Sequence, residues 1–77
     1  MSIQKILKSA NEIIALKKSL GTDAAPWSML DCLRTACSEN KAIIVSCNEW
    51  ENEASIRVGV YLYGVSIENG RWVNGLI

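Results

Sequence analysis

The chain has 77 residues, 49% of them hydrophobic, and is formally neutral, with eight Lys or Arg against eight Asp or Glu and no histidine. That length makes one domain spanning 1–77, which buries only roughly 60–65% of its unfolded surface, so apolar content this high leaves material for a partner or a second subunit to cover. Neutrality removes the global electrostatic ground for nucleic-acid binding, and the missing histidine removes both the usual base for a cysteine nucleophile and the usual fourth zinc ligand beside three cysteines.

No apolar run near the N-terminus approaches a signal core or a membrane span. The expectation is a cytoplasmic protein, or a segment of something larger, without membrane contact. Ile3 to Leu20 reads as an amphipathic helix. Ile3, Ile6, Leu7, Ala10, Ile13, Ile14 and Leu20 recur at steps of three and four, the spacing that puts residues on one stripe. Ser2 suits the N-cap, and Gly21 suits the left-handed position that stops the helix. Lys5, Lys8, Lys17 and Lys18 make the opposite face basic.

Gly21 to Ala25 is a connection. Pro26 suits the first turn of a second helix, read over Pro26 to Glu39, with Trp27 at the helix–helix junction and Asn40 as its stop. Its apolar stripe is Met29, Leu30, Leu33, Ala36 and Cys37. Asp31 and Arg34, three apart, can pair on the exposed side.

Lys41 to Cys47 is the first strand. Its run of Ala42, Ile43, Ile44 and Val45 lacks clean alternation, which suggests burial on both sides. Asn48 to Glu53 is an acidic loop around Trp50. Ala54 to Ile67 then reads as one long strand, alternating Ala54, Ile56, Val58, Val60 and Leu62 with Ser55, Arg57, Gly59, Tyr61 and Tyr63. Asn69-Gly70 is a strong two-residue hairpin signal, and Arg71 to Ile77 is the third strand. The predicted fold is α+β: two helices on one face of a three-stranded antiparallel meander, ααβββ.

Pairing about Asn69-Gly70 sets Ile67 opposite Trp72, Ser66 opposite Val73, Val65 opposite Asn74 and Tyr63 opposite Leu76, and opposed residues share a face. The smooth aliphatic set of Ile56, Val58, Val60, Leu62, Val73 and Ile77 is assigned to the core. Arg57, Tyr61, Tyr63, Val65, Ile67, Trp72 and Leu76 fall on the uncovered face, unless a bulge at Gly64 swaps the faces beyond it.

The carboxylates sit on loops and exposed helix positions, and the Gly-bearing turn is a hairpin, not a phosphate loop, so the residues point away from catalysis. Cys32, Cys37 and Cys47 read as reduced, metal-free thiols, with Cys37 the most buried. No cofactor is expected. The functional expectation is a non-catalytic protein–protein interaction module: an adaptor, small subunit or inhibitor of a larger machine, of the kind common among bacterial and phage accessory proteins. A homodimer is slightly favoured over a monomer awaiting its partner. The candidate partner-binding residues are Arg57, Tyr61, Tyr63 and Trp72 on the uncovered face, and Trp50 with Glu49, Glu51 and Glu53 in the loop. Trp50 either folds back over the sheet edge or stands out as an anchor for a partner. The alternative is a single-stranded nucleic-acid module stacking bases on Tyr61, Tyr63 and Trp72.

Overall fold

A computed structural model of the chain describes residues 2–21, 28–48 and 50–75. The element order is α1 (Ile3–Ser19), α2 (Met29–Glu39), β1 (Ile43–Asn48), β2 (Glu53–Val58), β3 (Tyr61–Glu68) and β4 (Arg71–Asn74). The strands form one antiparallel sheet in the order β1-β2-β3-β4.

Local chemistry sets the helix ends. The Lys5 N–H donates to Ser2 Oγ at 3.4 Å, and the Asp31 N–H donates to Ser28 Oγ at 3.1 Å, so each helix has a serine N-cap. The second helix therefore starts at Met29; the expected start at Pro26, with Trp27, lies outside the described residues. Gly21 takes φ +60° past the end of α1. After α2 it is Lys41 that takes the left-handed position, at φ 58°. The Ala42 N–H reaches the Cys37 carbonyl at 2.8 Å and the Lys41 N–H the Ser38 carbonyl at 3.4 Å, the paired bonds of a Schellman stop. Asn40 adds a side-chain bond from Nδ2 to the Ala36 carbonyl at 2.8 Å. Arg34 Nη1 and Asp31 Oδ1 stand 3.2 Å apart in the expected pair.

The sheet has four strands, not three. Ala54 to Ile67 is a hairpin whose turn is Gly59-Val60, with Val58 opposite Tyr61. Gly59 sits at φ +64° while Val60 does not take a positive φ, the pattern of a II′ turn with glycine at its first central position. The alternation runs straight through this turn in the sequence, which is why it reads as one strand. The turn has a large consequence. Residues i and i+3 across a two-residue loop share a face, so the inward parity changes from even on β2 to odd on β3. Ala54, Ile56 and Val58 stay inward as expected, but they are joined by Tyr63, Val65 and Ile67, while Val60 and Leu62 are exposed.

No bulge interrupts Gly64, which pairs with Ser55. The register shift lies in β1, between Ile44 and Ser46, with Val45 as the extra residue. The β3–β4 pairing is as expected, with Ile67 opposite Trp72, Ser66 opposite Val73 and Val65 opposite Asn74. The expected third strand ends at Asn74, and Leu76 and Ile77 lie outside the described residues. Trp72 therefore belongs to the inward face and not to the uncovered one.

The core lies between the helices and this inward face. It combines Ile3, Ile6, Leu7, Ala10 and Ile14 of α1, Leu30, Cys32, Leu33, Ala36 and Cys37 of α2, and Ala54, Ile56, Val58, Val65 and Trp72 of the sheet. Leu20, placed in the apolar stripe by spacing, is exposed. Cys32, not Cys37, is the most buried thiol, at 0% against 3% exposure, and Cys47 is exposed. Burial pushes the Cys37 thiol up to about 11 and raises Cys32 as well. Both therefore stay protonated near neutrality and pack as small apolar groups.

Candidate functional site

The two edges of the sheet are finished differently. At β4, the two-residue turn makes Glu68–Arg71 the hydrogen-bonded pair, so Ile67–Trp72 is a non-bonded pair and the Trp72 backbone groups point outward. Asn11 of α1 takes both of them. The Trp72 N–H donates to Asn11 Oδ1 at 2.8 Å, and Asn11 Nδ2 donates to the Trp72 carbonyl at 3.0 Å. The Trp72 ring turns inward, 2% exposed, and its Nε1 donates to the Met29 carbonyl on α2 at 2.9 Å. One tryptophan thus joins both helices to the edge strand, and its backbone groups are no longer open to another strand.

The β1 edge is left open. Among the described residues, no backbone hydrogen bond reaches β1 from its outer side. The expected burial on both sides does not occur: only Ile44 is half-buried, and Ile43, Val45, Ser46, Cys47 and Asn48 are exposed. The reason is position. β1 has β2 on one side only, and α2 lies over its inward face near Ile44, leaving the rest of the strand to water. From Ile43 to Asn48 the strand carries no charge and no proline, two of the devices that normally discourage pairing at an edge, although it does carry a bulge at Val45.

Each end of this edge has its own feature. Beyond its C-terminal end, Asn48 Oδ1 accepts from the N–H groups of Trp50 and Glu51 at 3.1 and 3.3 Å, an Asx-type turn. Asn52 follows at φ 54°, and its carbonyl accepts from the Ile67 N–H at 3.0 Å. The loop is therefore tied down at both ends, yet Trp50 projects from it 97% exposed. Trp50 does not fold back over the sheet edge. Near the N-terminal end, Arg34, Cys37 and Ser38 of α2 and Ala42, Ile43 and Ile44 line an open groove of about 360 Å³.

The partner-binding residues expected from the sequence do not share one surface. Arg57 is exposed on the outward face, between Ile43 and Leu62 in register. Tyr61 and Tyr63 lie on the inward side with ring centroids 6.5 Å apart; Tyr61 is exposed and Tyr63 half-buried. Trp72 is in the core. In the loop, Trp50 and Glu51 are exposed, Glu53 is half-buried and pairs with Asn48 and Ser66, and Glu49 lies outside the described residues.

Sequence reasoning missed three participants. Asn11 had a signal: it sits on the α1 stripe between Leu7 and Ile14, a polar residue on an apolar face. Lys41 had none, because the left-handed position of a Schellman stop ordinarily takes Gly or Asn, and Val45 had none, because a bulge depends on what the neighbouring strand does. Among the described residues, no group of three or more Cys, Asp or Glu is placed to hold a metal ion, and no helix is long and apolar enough to cross a membrane.

The arrangement defines a two-layer α+β domain with one closed and one open sheet edge. Compared with protein-family models, with curated proteins and with solved structures, the chain finds no match in any of the three.

Proposed function

We propose that this chain is a small non-catalytic protein–protein interaction module whose docking element is the β1 edge. The observation that carries this reading is the difference between the two edges. The chain commits Asn11 to closing β4, while β1 keeps an uncharged strand open, with Ile43 and Val45 exposed. An open edge recognises a partner through backbone hydrogen bonds that any extended segment can supply, and the flanking side chains then give specificity.

The nucleic-acid reading loses its platform. Trp72 is buried, Tyr61 and Tyr63 lie on the inward side, and the outward face carries Arg57 beside Glu53, Ser55 and Ser66. The test is affinity purification of the tagged chain from the cells that produce it, beside Val45→Lys, which adds a charge to an exposed edge position without touching the core. Specific proteins retained by the parent chain and lost with the variant are the expected result. Identical recoveries from both, or salt-sensitive retention of single-stranded oligonucleotide instead of protein, would refute the reading.

A further inference from the structure

We propose that the segment pairing with the β1 edge is the same edge of a second copy, making a two-fold dimer with one continuous eight-stranded sheet and with each Trp50 seated in the groove between α2 and β1 of the other copy. This inference rests on the reading of β1 as the docking edge, and it names the occupant.

The argument is self-complementarity. An antiparallel two-fold places the C-terminal end of one β1 against the N-terminal end of the other. The two ends of this strand differ, and they match. One end carries the projecting indole of Trp50 and the exposed carboxylate of Glu51; the other carries the open groove of Arg34, Cys37, Ser38, Ala42, Ile43 and Ile44, and the exposed ammonium of Lys41. A two-fold axis between Val45 and Ser46 opposes Ile43 to Asn48 and Ile44 to Cys47 of the second copy. It also brings the loop that bears Trp50 and Glu51 to the end of the second copy's β1 at which Lys41 and the groove lie. Neither Lys41 nor Glu51 has an ion-pair partner among the described residues.

No charged side chain along the strand opposes this register. Ile43 to Asn48 holds no charge, so the axis brings no like charges together. Bulges at edges can turn a strand away from pairing, but here the extra residue, Val45, is itself apolar and exposed, at the centre of the proposed seam. A tryptophan buries roughly 150–250 Å² when fully covered. Two of them, added to a paired six-residue edge, bring the interface toward the roughly 1,200–2,000 Å² of stable complexes.

The test is sedimentation over a micromolar to submillimolar concentration series, with circular dichroism confirming the fold of each variant. The parent chain should dimerise. Trp50→Ala and Val45→Lys should each raise the dimer Kd at least about tenfold, the scale of a lost anchor residue. Lys41→Glu and Glu51→Lys should each weaken the dimer when studied alone. Mixed in equal amounts they should dimerise again, because every heterodimer then opposes glutamate to lysine at both ends of the seam. A dimer insensitive to these variants, or a mixture no better than its components, would overturn the proposal. A monomeric parent chain that still retains proteins in an edge-dependent way overturns the second copy as occupant and leaves the docking edge standing. A monomer without edge-dependent retention overturns both.

Discussion

Replacing Asn11 with leucine tests the closure of the β4 edge. The two side chains are similar in size, and leucine is the better helix former and the more hydrophobic. If Asn11 only fills space in the α1 stripe, the variant should be neutral or more stable. The structure demands the opposite. Leucine can neither accept from the Trp72 N–H nor donate to its carbonyl, bonds of 2.8 and 3.0 Å in a part-buried setting. An orphaned buried donor or acceptor costs about 1–3 kcal/mol; allowing for partial access of water and the gain in apolar burial, the pair should cost about 2–3 kcal/mol. A 77-residue domain has roughly 4–12 kcal/mol in total at typical stability per residue. The loss should therefore lower Tm by roughly 10–20 °C. Urea denaturation gives the free energy, and hydrogen exchange at the Trp72 amide, protected in the parent and open in the variant, gives the cause. A leucine variant as stable as the parent, with that amide still protected, would refute the argument.

Gly59→Ala should cost about 1–2 kcal/mol in denaturant melts, because φ +64° is strained for any L side chain while the space around the new methyl is empty; an unchanged midpoint would mean that the turn is not the left-handed one. Trp72→Phe removes the bond from Nε1 to the Met29 carbonyl and should cost about 1–3 kcal/mol by the same measurement, one unmade hydrogen bond plus lost packing. Cys37 gives a pH dependence. Its thiol is raised from 9.0 to about 11 in the fold, so between those values the unfolded chain loses a proton that the folded chain keeps, and stability falls as pH rises. Urea midpoints across that window should fall more steeply for the parent than for Cys37→Ala, and equal slopes would contradict the burial of the thiol.

Much of the helical layer was determined by the sequence alone, because a helix carries its signals locally. The steps of three and four gave both apolar stripes, Ser2 and Gly21 sit where a cap and a stop belong, and Asn69-Gly70 announced its hairpin through a conformation few other residue pairs accept. The N-terminal half of the long alternating segment also faces as its pattern required. Only the tertiary structure decided where that segment folds on itself. Val-Gly-Val-Tyr alternates equally well as a strand and as a II′ turn, and the choice depends on whether β3 is needed to pair with β2. That one turn reversed the parity of everything after it. It put Trp72 in the core, Leu62 in water and Arg57 across the sheet from the tyrosines. Edge status is likewise invisible in a chain, since Ile43-Ile44-Val45 would suit a central strand. It became an open edge because, among the described residues, no later strand pairs outside it, whereas at the β4 edge the Trp72 groups were taken by an asparagine 61 residues earlier in the chain.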